Sequence, residues 1–370
     1  MKLNRRFWLI LGLIAACYAG IMTYVRWDND AQTKLHFYHQ WQESYVIRVN
    51  RRQSFVNAGG GQHKALSEAQ GYGMLITVLA AKKNWASQEE FQRLDDYYLA
   101  HRDVYDKQKT NLMAWRQVKT KHGWENDPNS ATDGDVMIAQ ALLMAAEQWP
   151  KTTDYRRQAL ALMKDILRFE LNPKTMTLTV GDWADQKSSY HDLLRTSDVM
   201  PAAFRSFYQA SGDQTWLQVE NAMLKKLDQL SKREKTGLVP DFAWVSPHRA
   251  WPVKANTVES KNDGSYSDNA ARVPLLLAQS KNPKAQKILL RMLRFFRQQR
   301  NLTAGYSLKG KPLNDYQAAS FSAPIFYAVN VHRNEGFDAL YTREKFIFAQ
   351  RLPSDRYYDA TLTTLVALMS

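Results

Sequence analysis

The chain has 370 residues, of which 45% are hydrophobic and 23% charged, so it carries enough apolar material for one large domain or two ordinary ones. Its formal net charge is +14. Because the Lys and Arg residues are spread along the chain, without a long basic run or a zinc-finger spacing, attraction to a negatively charged envelope is favoured over nucleic-acid binding. The single cysteine, Cys17, excludes a disulfide bond and a thiolate metal site from the folded part.

An apolar run of nineteen residues, 7–25, lies near the N-terminus, with Lys2, Arg5 and Arg6 before it and Arg26 after it. A helix of that length, at about 1.5 Å per residue, nearly spans a hydrocarbon layer of about 30 Å. Positive charge on the leading side predicts that this end stays in the cytoplasm and that the rest of the chain lies outside. The sequence therefore predicts a single-pass protein of the cell membrane whose folded part is extracellular.

Three interpretations of this run stay open. We favour an uncleaved signal anchor with a short linker (residues 1–29), followed by one folded domain (residues 30–370). Cleavage as an ordinary signal peptide would instead release a secreted protein. The third interpretation is a lipid anchor on Cys17, because residues 14–17, Ile-Ala-Ala-Cys, resemble a lipobox, although the residues after Cys17 stay apolar.

From about residue 30 onward, apolar residues recur at intervals of three and four and strand-like alternation is scarce, which predicts an all-α domain. No linker rich in Gly, Ser or Pro divides this part, so a single domain is favoured. The predicted helices, in chain order, are 31–49, 67–84, 87–102, 132–148, 153–169, 196–211, 213–232, 267–279, 282–299, 318–331, 333–349 and 357–369.

The even-numbered helices of this series share a feature, since each begins with or follows a cluster of polar and aromatic residues. Ser, Thr and Asp are good helix N-caps, so capping accounts for any one cluster taken alone. If six inner helices run parallel inside six outer ones, however, their N-termini meet at one mouth and the clusters line one cleft. The clusters lie at 67–68, 131–135, 196–198, 266–269, 320–322 and 356–359.

Two of these clusters carry carboxylates. Glu68 begins a helix with Gly71 and Gly73 in its first turns, and each glycine costs about 1 kcal/mol relative to alanine there, which indicates close approach of another backbone or of a ligand. Asp133 and Asp135 begin the next even-numbered helix. Their spacing resembles the start of a calcium loop, but a helix follows directly, so we predict no metal site.

Two carboxyl groups beside aromatic residues are typical of glycoside hydrolysis. That reaction needs one carboxyl group that holds a proton, which burial arranges by raising its pKa, and a second that stays ionised to activate water. Sugar rings present apolar faces that Trp and Tyr rings position, and aromatic residues make up 12% of the chain. The candidates for sugar contact are Trp115, Trp124, Tyr190 and Tyr266, although any one Trp is more often part of a core.

Residues 131–149 match the signature of glycoside hydrolase family eight at every fixed position, and residues 67–73 resemble the acid motif of that family. Further segments look like segments of the family and follow its order, so the resemblance runs from about residue 35 to the C-terminus. Within the family, the chain resembles endoglucanases associated with bacterial cellulose synthases and hydrolases of Gram-positive exopolysaccharide clusters. The further segments are 111–115, 200–205, 237–242, 271–274 and 357–360.

The resemblance implies an (α/α)6 barrel and an inverting mechanism without a cofactor. It implies that Glu68 is the general acid and that Asp133 grips and distorts the sugar at the point of cleavage. In an inverting enzyme the two catalytic carboxyl groups stand roughly 6.5–9.5 Å apart and leave room for a water molecule. Candidate substrate-binding residues in the matching segments and beside them are Tyr72, Asp198, Asn269, Arg272 and Tyr358.

The general base is where the chain departs from the family's pattern. The usual base is an Asp three residues before an Arg, but the residue three before Arg272 is Asn269, which cannot accept a proton from water. The candidates left open are Asp268, Asp241 and Glu259, with Asp263 behind them. We favour Asp268 or Asp241, although a helix cap and a loop brace are the simpler roles for these two side chains.

We therefore predict an endo-acting, inverting β-glycanase that cleaves an exopolysaccharide or a β-1,4-glucan-like polymer made by the same cell, beside the exopolysaccharide synthase machinery. The main rival is a non-catalytic glycan-binding protein that guides a nascent polymer, because Asn269 replaces the usual base. A lyase or a terpene cyclase would share a helical toroid, but residues 133–135 are too short an acidic motif for a cyclase.

Overall fold

The computed structural model describes residues 5–152 and 154–370. Its main elements are twelve α-helices, and the inner ones start close to the predicted positions. The helices are α1 (Arg5–Tyr45), α2 (Ser67–Ala81), α3 (Gln88–Ala100), α4 (Thr132–Gln148), α5 (Asp154–Phe169), α6 (Pro201–Ser211), α7 (Thr215–Ser231), α8 (Val273–Ala278), α9 (Pro283–Gln298), α10 (Ala319–Val331), α11 (Asp338–Glu344) and α12 (Tyr357–Met369).

Four of the predicted helices differ in extent from the observed ones. The helix predicted at 31–49 is the second half of α1, which ends at Tyr45 where a strand begins. The predictions at 196–211 and 267–279 each combine a 3-10 turn with a shorter α-helix, and 333–349 divides into α11 between two 3-10 turns. The turns ahead of α6 and α8 carry side chains of the functional site.

The even-numbered helices form a closed inner ring, as the polar clusters predict. Around the ring, α2 packs against α4, α4 against α6, α6 against α8, α8 against α10, α10 against α12, and α12 returns to α2. Each inner helix also packs against an outer one, so that α3, α5, α7, α9, α11 and α1 lie outside α2, α4, α6, α8, α10 and α12. The domain is therefore an (α/α)6 barrel.

The apolar pattern decides which helices lie inside. In α4 the residues from Val136 to Ala139 are buried on every side of the helix, as an inner position requires. Helix α9 instead buries a single stripe at intervals of three and four residues, which fits a helix with one face toward water. The residues of that stripe are Ala285, Ile288, Leu289, Met292, Leu293 and Phe296.

The first and last helices close the ring. Trp41 of α1 is fully buried, and its Nε1 donates a hydrogen bond to Thr361 Oγ1 of α12 at 2.9 Å, across 320 residues of sequence. Lys34 Nζ donates to the carbonyl oxygen of Ser370 at 2.7 Å. The last inner helix is thus covered by the first outer one.

The prediction of a purely helical domain is incomplete, because short strands lie between the helices. The longest, β5, was missed because Leu112, Met113 and Ala114 are buried in succession, which breaks the period of two that marks a half-buried strand. The strands are β1 (Val46–Arg48), β2 (Ser54–Val56), β3 (Lys64–Leu66), β4 (Arg102–Tyr105), β5 (Gln108–Thr120), β6 (Gly123–Ser130), β7 (Leu171–Asn172), β8 (Thr177–Leu178), β9 (Leu193–Arg195), β10 (Phe242–Val245) and β11 (Ala250–Pro252).

Two of the sheets sit at the N-terminal ends of inner helices. Strand β5 pairs antiparallel with β3, β4 and β6, and β3 and β6 lead into α2 and α4. A second sheet has the order β11–β10–β9, and β9 leads into the 3-10 turn at Thr196–Asp198. The strands therefore fix where the inner helices begin.

Two glycines bring α2 and α4 into close contact. A Cβ on Gly71 would lie 2.7 Å from Met137 Cβ and 3.2 Å from the carbonyl oxygen of Gly134. A Cβ on Gly134 would lie 2.3 Å from Ser67 Oγ, well inside van der Waals contact. The prediction that Gly71 marks a close backbone approach is confirmed, and the approach places Glu68 beside the start of α4.

The predicted boundary between anchor and domain, at residues 29 and 30, falls inside α1. In the described part of the chain, no helix combines the length and the apolar character needed to cross a membrane. Residues 1–4 and many side chains between residues 5 and 29 lie outside the described residues. The anchor, its cleavage and the lipid on Cys17 stay predictions.

Substituting Gly134 by alanine tests the contact between α2 and α4. The added Cβ has no room beside Ser67, so we expect the free energy of unfolding to fall by about 2 kcal/mol. Chemical denaturation measures this change. Gly61→Ala is the matched control, because no atom lies within 4 Å of a Cβ at that position, and equal stability losses in both variants would contradict the packing argument.

Candidate active site

A cleft of about 230 Å³ opens where the inner helices begin. It brings together side chains from α2, α4, the turns before α6 and α8, and α12, although these segments are far apart in sequence. The cleft is lined by Leu66, Ser67, Glu68, Trp115, Ala131, Asp133, Arg195, Glu259, Asp268, Asn269, Arg272 and Tyr358. Four of the six predicted polar clusters, at 67–68, 131–135, 266–269 and 356–359, therefore contribute to one cleft, and those at 196–198 and 320–322 do not line it.

Arg272 lies at the centre of this cleft, with only 2% of its side chain exposed. Its Nη1 donates to Glu68 Oε1 and to Asp133 Oδ2, both at 3.0 Å. Its Nη2 donates to Ser197 Oγ at 2.7 Å and to Asn269 Oδ1 at 2.8 Å. One guanidinium thus connects the starts of α2 and α4 with the turns that precede α6 and α8.

Asp133 is held between two arginines. Its Oδ1 lies 2.7 Å from Arg195 Nη1, and its Oδ2 lies 3.0 Å from Arg272 Nη1. Burial acts to raise the pKa of this carboxyl, but the two guanidiniums outweigh burial and lower the pKa to about 2. Asp133 is therefore ionised at neutral pH, and a carboxylate so firmly paired is a poor proton acceptor.

At Glu68, by contrast, burial outweighs the effect of the neighbouring positive charges on the pKa. Its side chain is 19% exposed and contacts Arg272 alone among the cleft's arginines. Burial raises its pKa to about 7, Arg272 opposes this shift, and the negative charge of Asp133 adds to it. Glu68 therefore holds a proton near neutral pH, which is the state a general acid needs.

Glu259 and Asn269 occupy the rim of the cleft. Asn269 Nδ2 donates to Glu259 Oε2 at 3.2 Å, while Asn269 Oδ1 accepts from Arg272. Burial is the main cause of the raised pKa of Glu68, and the negative charge of Glu259 makes a smaller contribution in the same direction. The Glu259 side chain is exposed to solvent, and its carboxylate lies close enough to Glu68 to favour the protonated form of that acid.

Asp268 also lines the cleft, as predicted, and its side chain is exposed. The surrounding wall of the cleft partly removes this carboxyl from water, which raises its pKa, and the charge of Arg272 opposes the shift. Tyr358 donates its hydroxyl hydrogen to the carbonyl oxygen of Asp268 at 3.4 Å. Asp268 and Tyr358 therefore border the site together.

The structure does not bring Asp241 or Asp263 into the cleft. Asp241 is buried, and its Oδ1 accepts backbone N–H groups of Ser267 and Ala270 at 3.0 and 2.7 Å. This carboxylate braces the loop ahead of α8, so its prediction as a base is corrected. Asp263 accepts the backbone N–H of Glu259 at 3.2 Å and those of two neighbours, which fixes the loop that carries Glu259.

Of the predicted sugar platforms, only Trp115 lines the cleft. Trp124 lies on β6, is 46% exposed and stands at right angles to the ring of Phe55. Tyr190 packs against Trp183 and Trp244. Tyr266 is fully buried and packs against core aromatic rings, because its position faces the barrel interior. The predicted sugar contact of Tyr266 is therefore corrected, whereas Trp124 and Tyr190 lie outside the cleft lining and their contact with sugar stays a prediction.

Tyr72 and Asp198 lie behind the cleft and support the arginines. Tyr72 is buried and hydrogen-bonds with Arg272. Asp198 is fully buried with its Oδ1 3.6 Å from Arg195 Nη1. Burial raises the pKa of Asp198 to about 7, and the charge of Arg195 opposes that shift. Neither residue lines the cleft, so their prediction as direct sugar contacts is corrected.

Sequence reasoning missed Arg195, although it placed the neighbouring Ser197 in a predicted polar cluster. Arg195 ends the short strand β9 and is 11% exposed at its side chain, yet it pairs with the most acidic carboxyl of the site. The signal that could have found it was a charged residue directly after the apolar pair Leu193 and Leu194. A buried arginine of this kind needs a carboxylate partner.

Comparisons with known proteins agree with this geometry. The family model described as "Glycosyl hydrolases family 8" matches residues 12–370. A curated β-glucanase of Niallia circulans is 32% identical over 255 residues, which cover 68% of this chain and 60% of that protein. A curated endoglucanase of Bacillus sp. (strain KSM-330) is 28% identical over 378 residues, covering 94% of this chain and 79% of that protein.

A solved structure gives the same result for the fold. The apo structure of a β-1,3-1,4-glucanase from Paenibacillus sp. X4 superposes with a TM-score of 0.83 at 26% sequence identity, and the match covers 92% of each chain. One protonated and one ionised carboxyl group at the mouth of a helical barrel fit the requirements of a glycoside hydrolase. The match over residues 12–370 makes the assignment specific: the chain belongs to family 8 of the glycosyl hydrolases.

The raised pKa of Glu68 predicts a pH-dependent stability penalty. The unfolded group loses its proton near pH 4.5 and the folded group near pH 7, so folding becomes less favourable as pH rises through that interval. Gln at this position is neutral at every pH and removes the penalty. We expect Glu68→Gln to raise the melting temperature above that of the wild type by a few degrees at pH 8.

Thermal unfolding at pH 4 and pH 8 measures this difference. At pH 4 both the folded and the unfolded wild type keep the proton, so the two proteins should melt within about a degree of each other. A stability gap that is the same at both values would show that packing, and not the proton on Glu68, separates the two proteins.

Proposed function

We propose that the chain is an endo-acting, inverting β-glucanase. The observation that carries this proposal is the pair of opposed carboxyl groups at one guanidinium, where Asp133 is ionised and Glu68 protonated near neutral pH. Its curated relatives are named as a β-glucanase and as endoglucanases, which supports internal cleavage of a β-glucan.

Glu68 acts as the general acid. Its proton passes to the glycosidic oxygen as the bond to the leaving sugar breaks, which prevents an alkoxide from building up. Asp133, fixed by Arg195 and Arg272, accepts hydrogen bonds from hydroxyl groups of the sugar at the cleavage point. Its permanent charge also stabilises the positive charge that develops on that sugar ring.

Glu259 acts as the general base. Among the candidates, Asp241 and Asp263 are committed to backbone N–H groups, which leaves Glu259 and Asp268 with carboxylates free to face water. Glu259 is favoured because Asn269 holds its Oε2 and because its charge acts on Glu68, whereas the raised pKa of Asp268 makes that carboxylate a less available acceptor at low pH.

The asparagine that replaces the family's usual base positions the proposed base, Glu259. Asn269 accepts a hydrogen bond from Arg272 and donates one to Glu259, so it fixes the base relative to the central guanidinium. An aspartate there would place two negative charges side by side and could not donate that hydrogen bond. This arrangement argues against the non-catalytic alternative, because a base is present at the cleft.

The substrate class follows from the relatives and from Trp115. A β-1,3-1,4-glucanase is the structural neighbour with a TM-score of 0.83, and an indole ring in the cleft suits the flat face of an equatorially linked glucose unit. We propose β-1,4 bonds within a mixed-linkage or unbranched β-glucan, such as an exopolysaccharide made by the same cell, as the bonds that are cut.

The site of action is outside the cell. The apolar run at residues 7–25, with Lys2, Arg5 and Arg6 before it, supports export and retention at the membrane as a signal anchor beside polysaccharide synthesis. Fractionation of cells that make the full chain tests this. Recovery of the protein from the cytoplasmic fraction would contradict it, and recovery from the medium would favour cleavage of the run.

Glu68→Gln tests the acid. We expect kcat on barley mixed-linkage β-glucan to fall by about three orders of magnitude, because protonation of the leaving group is lost while binding contacts remain. Reducing-end release measures the rate. In the wild type the same assay should show a decline in kcat/KM above about pH 7, where Glu68 loses its proton.

Proton NMR of the first products completes this test. An inverting reaction releases the α-anomer from a β-bond before mutarotation, and early β-anomer would contradict the mechanism. A Glu68→Gln variant that keeps the wild-type rate would remove Glu68 from its role. Binding of β-glucan with no cleavage by the wild type would favour the non-catalytic glycan-binding alternative.

Glu259→Gln tests the base, with Asp268→Asn as its matched control. We expect the first variant to lose activity by about a thousandfold and the second to stay within about tenfold of the wild type. Adding Asn269→Asp to Glu259→Gln should restore part of the activity, because it returns a carboxylate to the rim. Loss of activity in Asp268→Asn alone would transfer the role to Asp268.

A further inference from the structure

A second pocket, of about 400 Å³, lies outside the cleft on the surface of the barrel. It is formed between the C-terminal end of α7 and the edge strand β11. The lining residues are Gln229, Arg233, Arg249, Ala250 and Trp251, and none of them borders the catalytic cleft.

Side-chain hydrogen bonds connect the two walls of this pocket. Lys226 of α7 is buried, and its Nζ donates to the carbonyl oxygens of Ser246 and Pro247 at 2.5 and 3.0 Å. Gln229 Nε2 donates to the carbonyl oxygen of His248 at 2.9 Å. The turn between β10 and β11 is thereby fixed to α7, so the pocket is a preformed feature and not a gap between loose segments.

Three exposed side chains in the pocket have unused binding capacity. Arg233 and Arg249 are exposed, and within the described residues neither guanidinium has an ion-pair or hydrogen-bond partner. Gln229 Oε1 is shielded from water and accepts no hydrogen bond from a described residue. Trp251 leaves 38% of its surface exposed beside them.

This combination matches one ligand chemistry. A guanidinium pair binds a carboxylate, and an exposed indole covers the apolar face of a sugar ring. We propose that this pocket binds an acidic sugar unit of a β-linked polysaccharide, as a secondary site that is separate from catalysis.

The pocket and the catalytic cleft are connected by one β-sheet. Strands β11, β10 and β9 are neighbours in one sheet, so β11 lies about 10 Å from β9, whose last residue is Arg195. The chain that leaves β11 also leads to Glu259 on the rim. A long polymer can therefore occupy both sites, which raises its effective concentration at the cleft. This inference rests on the proposed function for the class of polymer.

Binding is measured without cleavage by using the full chain with Glu68→Gln. The probe is carboxymethylcellulose, a β-1,4-glucan that carries carboxylates, and hydroxyethylcellulose is its neutral counterpart. We expect Arg233→Gln with Arg249→Gln to weaken carboxymethylcellulose binding roughly tenfold in affinity electrophoresis, and to leave hydroxyethylcellulose binding within about twofold. Trp251→Ala should weaken binding of both polymers.

Arg51→Gln with Arg52→Gln is the matched control, because it removes the same charge from exposed positions that line neither pocket. An equal loss in this control would attribute binding to net charge and overturn the proposal. Unchanged binding in the pocket variants, or no binding of carboxymethylcellulose by the parent protein, would also overturn it. Wild-type reducing-end release on neutral β-glucan reports separately on the proposed function.

Discussion

The buried guanidinium of Arg272 is the contact on which the site depends. A charge removed from water at this depth is costly unless its donors are satisfied, and here Glu68, Asp133, Ser197 and Asn269 satisfy them. Both carboxyl groups contact the same nitrogen, yet only Asp133 also contacts Arg195. The second arginine therefore determines which carboxyl group is ionised and which keeps its proton.

The barrel supplies the geometry that this electrostatic arrangement requires. The starts of α2, α4 and α12 and the turns before α6 and α8 all contribute to the cleft, so the positive ends of several helices face one small volume. Arg195 and Arg272 lower the pKa of Asp133 and keep it ionised, while burial raises the pKa of Glu68. Glycines at 71 and 134 shorten the distance between α2 and α4 and so bring the two acids to one arginine.

Much of this arrangement is encoded locally and could be predicted from the sequence. Helix periodicity and the polar clusters predicted the ring and its mouth, and the resemblance to glycoside hydrolase family eight implied the roles of Glu68 and Asp133. The orientation of a carboxylate is not local, however: Asp241 was predicted as a base, but backbone N–H groups of a distant loop bind it. Arg195 was missed because a two-residue apolar pair before an arginine has no periodic signature, and only the folded sheet shows its partner.

Closure of the ring by Trp41 and Thr361 has a consequence for biogenesis. During synthesis the apolar face of α1 emerges hundreds of residues before α12, the helix that covers it. The toroid therefore cannot be completed until almost the entire polypeptide has left the ribosome, and such distant pairing slows folding and leaves apolar surface open to aggregation. Closure of the barrel is therefore a late event, in which the first outer helix waits for the last inner helix to cover it.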